Sequence, residues 1–360
     1  MKKYFFYLII FAAVYFTGCS AKTDSSGQAG EEPAGKGSAS SSEAVSGKIN
    51  IAVFIPGVTA GSPTYEMLVS GVQQAADENR ETEVLVIEAG FNQGEWENKL
   101  TALAGTKNYK YIITSNPAMP EICSRVSKIY PEQKFIVLDG YLKGNNNIYT
   151  FLYNSYEQAY LIGVMGALVT GSDMKGADRN LKVGLIAGQE YPMMNNVIKP
   201  GFEKGLKSVN SAIEMDFRIV GNWYDASKGA ELAGQMYNSG IDVILAIAGG
   251  AGQGVLSAAK DKGKYVLWFD NNGYSLSDGQ VAGCSAIRQD KAAYEITKKA
   301  VSGTLPFGSA DIAGVKEGYV YFVDDDPAFI KIVPEELRAK IKETEEMISK
   351  GAVKLEMPHF

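Results

Sequence analysis

Short runs rich in Val, Ile and aromatic residues alternate along this chain with longer stretches whose apolar positions recur every three to four residues. The first pattern predicts strands and the second amphipathic helices. In the first half the strands fall at 49–55, 83–88, 110–114, 134–138 and 148–153, with helices at 64–79, 95–104 and 118–129. The second half repeats the layout, with strands at 181–187, 214–220, 242–247, 264–269 and 280–286 and helices at 196–208, 226–238 and 252–262. Further helices are predicted at 156–170, between the two series, and at 289–302, after the second.

Strands that alternate with helices make parallel sheets with crossover helices, so the fold class is α/β. Two such series predict two lobes, each a parallel sheet flanked by helices. A leftover strand and helix predict that the chain returns to the first lobe and crosses once more near 318–323. The expected lobes are 48–153 plus 286–318 and 154–285 plus 319–360, joined by hinge crossovers.

The amino terminus follows other rules. Lys2 and Lys3 precede an apolar run at 4–16, and Thr17 and Gly18 lead into Cys19. This order is that of a signal peptide over 1–18, with Cys19 placed for lipidation, although an uncleaved anchor helix is a second reading. Residues 20–47 are dominated by Ser, Gly, Ala and Glu, which bury too little surface to order the chain. A tether over 19–47 behind a lipidated Cys would hold the folded body outside the cytoplasm, periplasmic and anchored to the membrane.

Composition narrows the function. The 360 residues carry a net charge of -6 with a pI near 5.2, which removes the attraction that nucleic-acid binding requires. Cys123 and Cys284 are two distant thiols and form no disulfide framework; both are expected to be buried, and whether they pair is open. The single histidine, His359, is next to the carboxyl terminus, so His-based triads and His-ligated metals are not expected. No metal and no cofactor is expected. Asp139, Asp225 and Asp270 keep one enzyme idea alive, a hydrolase acting on a nucleoside through paired carboxylates. The acids at 324–326 lack the spacing of a Ca²⁺ loop.

In facing parallel sheets, ligands bind at the carboxyl ends of the strands, so the candidate chemistry lies in the strand-end loops. After the first strand, Tyr65 stands on the first turn of a helix, where a ring can lie flat against another ring. The second loop offers Asn92 and Trp96, the third Ser115 and Asn116. Asp139 follows the fourth strand and admits two readings, a helix cap or an acceptor for a polyol's hydroxyls. In the second half, Trp223 and Tyr224 beside Asp225 make an apolar slot with polar ends, Gln253 lies in a glycine-rich run at 249–254, and Asp270 ends a strand. The glycines lack the Walker spacing and serve either a turn or a close approach to ligand. Trp268 lies within a strand and is expected in the core.

The stretch 186–193, the glycine-rich run and Phe269-Asp270-Asn271-Asn272 resemble the basic membrane protein family of ABC-transporter substrate-binding lipoproteins. The resemblance implies the type I periplasmic-binding fold, an ABC permease as partner and, in many members, purine nucleosides as ligands. The first loop departs from the nucleoside-binding pattern, with Pro56 where an Asp is usual and Thr64 and Tyr65 near the position of a stacking Phe. Together with Asn92 to Trp96, Ser115 to Ala118 and Gly221 to Asp225, that loop is more similar to the spirochaetal riboflavin-binding lipoproteins. The resemblance implies riboflavin as the transported ligand. Tyr65, Trp223, Trp96 and Tyr224 would face the ring, Asn92, Ser115, Asn116 and Gln253 its polar edge, and Asp139 and Asp270 the ribityl hydroxyls. A monomer with no catalytic residue is expected.

Overall fold

The computed structural model describes residues 48–79 and 81–359. The expected signal peptide, Cys19 and the whole of the expected tether over 19–47 lie outside the described residues. From the amino end the elements are β1 (Ile49–Ile55), α1 (Pro63–Asp77), β2 (Thr82–Glu88), α2 (Gln93–Gly105), β3 (Tyr111–Ser115), α3 (Met119–Ile129), β4 (Lys134–Leu138) and β5 (Ile148–Tyr153). Next come α4 (Ser155–Thr170), β6 (Lys182–Ala187), a π-helical turn (Met194–Ile198), α5 (Lys199–Val209), β7 (Glu214–Ile219), α6 (Ala226–Asn238), β8 (Val243–Ile247), α7 (Gly252–Lys262), β9 (Tyr265–Asp270) and β10 (Val281–Ile287). The chain ends with α8 (Gln289–Val301), β11 (Ala310–Ala313), β12 (Val320–Phe322), α9 (Pro327–Ile332) and α10 (Glu335–Ser349).

These strands form two six-stranded sheets, in the orders β11-β5-β4-β3-β1-β2 and β12-β10-β9-β8-β6-β7. The central strands β3 and β8 are buried along their whole length and largely apolar, because a parallel strand covered on both faces must be hydrophobic on both. The two-lobed α/β reading therefore describes the molecule, which has the periplasmic-binding-protein type of fold.

The chain passes between the sheets three times: at Asn154 between β5 and α4, at Arg288 between β10 and α8, and through 314–319 between β11 and β12. Asn154 marks the first passage by capping α4, its side chain accepting from the Glu157 amide at 3.2 Å. Helix α4 is buried along almost its whole length, which explains why its sequence shows no polar stripe. It packs so closely on α5 that a Cβ on Gly163 would lie 2.3 Å from the Phe202 carbonyl, and one on Gly205 2.2 Å from the Tyr160 carbonyl. Only glycine fits at either point.

Two features differ from the expected pattern. The second sheet is not wholly parallel, because β12 runs antiparallel to β10, with Ala286 opposite Tyr321. Strand β10 leaves the lobe at the hinge and β12 enters from that same hinge through a short link, so the two must run in opposite directions. By contrast, β11 follows α8, which carries the chain back to the far end of the first sheet, and β11 pairs parallel with β5. The second difference is α10, which the sequence pattern did not single out: Leu337, Ile341 and Ile348 are its buried side chains among many charges.

Cys123 and Cys284 are both buried and unpaired, and they belong to different sheets' surroundings. Among the described residues no helix is long and apolar enough to cross a membrane.

Candidate functional site

The carboxyl ends of the two sheets face one another, and the loops there bring groups from both lobes within electrostatic reach. Asp139, just past β4, feels Asp270 at the end of β9, and Tyr191, just past β6, feels both. This cleft is the candidate site.

On the first lobe, Tyr65 is positioned by its hydroxyl, which donates to the Pro56 carbonyl at 3.2 Å and accepts from Asn116 Nδ2 at 3.4 Å. Burial, with a contribution from the Asp139 charge and against the Asn116 bond, pushes the Tyr65 phenol up to about 12, so it stays neutral. Its ring lies beside Gly57, where a Cβ would come 3.0 Å from Tyr65 Cε2 and 3.4 Å from Phe91 Cε1. Phe91 is 68% exposed, so a second aromatic surface stands next to Tyr65 at the mouth. Asn116 is held by its Oδ1, which accepts from the Ala118 amide at 2.9 Å.

Asp139 does not cap a helix, since β4 runs on to β5 with no helix between them. Its backbone is left-handed at φ 53°, and among the described residues its side chain has no hydrogen bond. Burial first, and then the Asp270 charge, push its carboxyl up to about 8. Asp270 is also left-handed, at φ 72°. Burial pushes it up to about 6, against a 3.1 Å hydrogen bond donated by Gln158 Nε2.

On the second lobe, Trp223 lies over Gly188, where a Cβ would fall 2.5 Å from its Cε3. Its indole donates to Gln189 Oε1 at 3.1 Å, and the Tyr191 ring is 6.1 Å away, centroid to centroid, tilted by 54°. Trp223 is 38% exposed and Tyr224 76% exposed. Gln253 is exposed on the first turn of α7. The glycines around it serve packing: Gly249 backs onto Trp223, and a Cβ on Gly254 would lie 1.8 Å from the Ala226 carbonyl of α6.

Three of the residues expected at the ring or its edge are engaged elsewhere in the fold. Trp96 is 7% exposed, packs among Phe54, Leu100 and Ala89 on the far face of the first sheet, and donates its indole N–H to the Gly90 carbonyl at 2.7 Å. It is a core residue, because the first turn of α2 aims it at the sheet. Asn92 is the N-cap of α2, accepting from the Gly94 amide at 3.2 Å and donating to Glu95 Oε1 at 2.8 Å, so its side chain is committed locally. The Ser115 hydroxyl is buried and donates to Gln289 Oε1 at 3.3 Å; Gln289 Nε2 in turn donates to the Thr64 carbonyl at 2.7 Å, tying α8 to the start of α1. Asp225 is likewise a cap, accepting from the Lys228 amide at 2.9 Å. Trp268 is half-buried and packs against the core as expected, with its indole bonded to Asn271 Oδ1 at 2.7 Å.

Sequence reasoning passed over Phe91, Tyr191, Gln158 and Tyr153. The first two sit in strand-end loops and could have been found by that position alone. Gln158 and Tyr153 lie inside a helix and a strand, where sequence pattern reads only core. A cavity of about 410 Å³ lined by Lys110, Tyr111, Lys134 and Phe307 opens at the opposite, amino ends of β3 and β4, and none of the predicted site residues reaches it. Among the described residues no cluster of three metal-ligating side chains exists.

The profile of the Bmp family, described as ABC transporter substrate-binding protein, PnrA-like, matches residues 48–354. An ABC transporter nucleoside-binding protein, BmpA of Lactococcus lactis subsp. cremoris, is 33% identical over 157 residues, covering 44% of this chain and 42% of that protein. The match thus spans less than half the length of that relative. Basic membrane protein A2 of Borrelia garinii subsp. bavariensis is 24% identical over 342 residues, 93% of this chain and 90% of that one. Among solved structures, an ABC transporter solute-binding protein from Aeropyrum pernix K1 superposes with a TM-score of 0.74 at 20% identity, over 87% of this chain and 94% of that chain, which shows the shared fold. With a profile match running through both lobes and a cleft at the strand ends, this chain belongs to the Bmp family of ABC transporter substrate-binding proteins, PnrA-like.

Proposed function

We propose that the protein is the lipid-anchored receptor of an ABC-type uptake system and that it captures riboflavin in the cleft between its lobes. The observation that carries this reading is the placement of aromatic surface on both walls, Tyr65 with Phe91 on one and Trp223 with Tyr191 on the other, near two carboxyl groups. A three-ring isoalloxazine offers a wide flat face for stacking, and a ribityl chain offers hydroxyls that a carboxyl pair can bind. Asn116 and Gln253 are the remaining candidates for the ring's polar edge. A ligand that touches both walls favours the closed arrangement of the lobes, and the permease then reads that shape. Lipidation at Cys19 would keep the receptor at the outer side of the membrane, where it acts as a monomer without chemical turnover.

A second reading is a purine nucleoside ligand, favoured by the name of the Lactococcus relative. Titration of the purified protein separates the two. Under the flavin reading, riboflavin fluorescence is quenched at stoichiometric protein and guanosine or inosine leaves the melting temperature unchanged. A melting temperature raised by guanosine, with riboflavin inert, reverses the assignment. Release of free base on incubation with a nucleoside would show a hydrolase instead.

A further inference from the structure

The cavity of about 410 Å³ at the amino ends of β3 and β4 lies at the end of the first sheet opposite the ligand cleft, and its charge runs against that of the chain. Three lysines line it, Lys107, Lys110 and Lys134, against one acid, Glu132, in a protein whose net charge is -6. Glu132 pairs with Lys107 at 3.5 Å. Lys134 donates to neutral acceptors, the Asn146 carbonyl and Asn147 Oδ1, both at 2.8 Å, and its ammonium stands 5.2 Å from the centroid of the Phe307 ring. Lys110 Nζ stands 5.4 Å from the centroid of Tyr111, and the Tyr111 and Phe307 rings are parallel within 5° at 6.0 Å. Among the described residues no carboxylate pairs with Lys110 or Lys134, so the mouth is left net positive above an aromatic floor. Around it, Lys128 and Ile129 end α3 next to the cavity's Tyr130, with Ile129 58% exposed. Lys143 is exposed on the adjoining loop, where the Gly144 amide donates to the Gly308 carbonyl at 2.9 Å, beside Phe307. The chain also enters the first lobe here. The Lys110 amide donates to the Asn50 carbonyl at 2.9 Å, and Asn50 Nδ2 donates to the Asn108 carbonyl at 3.1 Å, two residues after Lys48.

We propose that this amino-end face of the first lobe docks on an anionic bilayer, with lipid phosphates held by Lys110, Lys134 and Lys143 and Ile129 set among the headgroups. Phosphate oxygens accept from several ammoniums at once, and lysines beside half-exposed aromatic rings suit headgroup depth. A segment anchored at Cys19 reaches the body at Lys48, beside this mouth, and so brings this end of the lobe to the membrane ahead of the cleft end. Docked in this way, the receptor keeps its cleft in water at the far end of the sheet and loads ligand while it rests on the bilayer. The biological setting rests on the anchored-receptor reading, whereas the surface itself does not require Cys19 to be acylated.

The full chain carrying Cys19→Ala, which cannot be acylated there, tests the surface alone. In sedimentation, vesicles of equal parts phosphatidylcholine and phosphatidylglycerol should bind it at least ~10-fold more tightly than phosphatidylcholine vesicles, and high salt should erase most of the difference. Lys110→Glu together with Lys143→Glu, both exposed and remote from the cleft, should remove the preference at an unchanged melting temperature. Ile129→Asn should weaken vesicle binding about fivefold. Val209→Asn, at a side chain 44% exposed at the end of α5 on the second lobe, should not. Equal binding to both vesicles overturns the proposal. So does an anionic preference that survives both lysine reversals, which would assign the binding to Lys2 and Lys3 at the amino terminus. Complete displacement by inorganic phosphate, with Ile129→Asn inert, would show a soluble-anion site and overturn the bilayer as well. Mass spectrometry of wild type tests the anchor separately, since Cys19 without fatty acid removes that reading while the vesicle result stands.

Discussion

Two places in this molecule hold aspartate away from solvent, one fully buried with a cation and one half-buried at the cleft. At the base of the second lobe, Asp242 is fully buried and meets Lys264 Nζ at 2.8 Å, Thr170 Oγ1 at 3.1 Å and the Asp178 amide at 3.1 Å. Burial raises the Asp242 carboxyl even against the Lys264 bond, whereas Asp242 and Asp178 hold the Lys264 ammonium above its ordinary value against burial; the 2.8 Å contact is what establishes the ion pair. At the cleft Asp139 feels the Asp270 charge, and among the described residues no cation offsets either carboxyl and Gln158 alone lowers Asp270. The first arrangement satisfies its charge within the fold. The second leaves hydrogen-bonding capacity open towards the cleft, as expected where a ligand completes the structure.

Breaking the satisfied pair should have the largest effect. Lys264→Met strands the Asp242 carboxylate and should cost about 3–5 kcal/mol in denaturant unfolding, since an unpaired buried charge is far worse than a lost contact. A loss below ~1 kcal/mol would mean that water reaches Asp242. Next, Trp96→Ala should remove about 3 kcal/mol of stability by opening a cavity under α2, yet leave ligand affinity intact in the folded fraction. Trp223→Ala sharpens the contrast between the two indoles. It should weaken the aromatic ligand about 100-fold by calorimetry while shifting the ligand-free melting temperature by only ~1 °C. The smallest effect belongs to Gln158→Leu, which removes the one hydrogen bond lowering Asp270. That carboxyl should titrate higher still, seen by infrared, and affinity should fall by no more than about tenfold.

Most elements were legible because their physics is local. The apolar runs of β1, β4 and β5 and the periodicity of α6 and α7 mark them at the residues where they occur. The direction of β12 was not legible, since it depends on which end of the lobe the hinge enters. At the site, position after a strand identified Tyr65, Asp139, Trp223 and Asp270 as candidates, and the structure places all four at the facing strand ends. The same rule misplaced Trp96, because a residue on the first turn of a helix can point to the sheet as readily as to the cleft.

By itself the sequence determined the repeated strand and helix pattern, the acidic balance and the residue types available at the strand ends, all of which follow from side-chain polarity and spacing. Only the tertiary structure decided which of those side chains meet. Asp139 and Asp270 lie far apart along the chain, and the electrostatic reach between them and the Gln158 bond to Asp270 arise when two sheets turn their carboxyl ends towards one another.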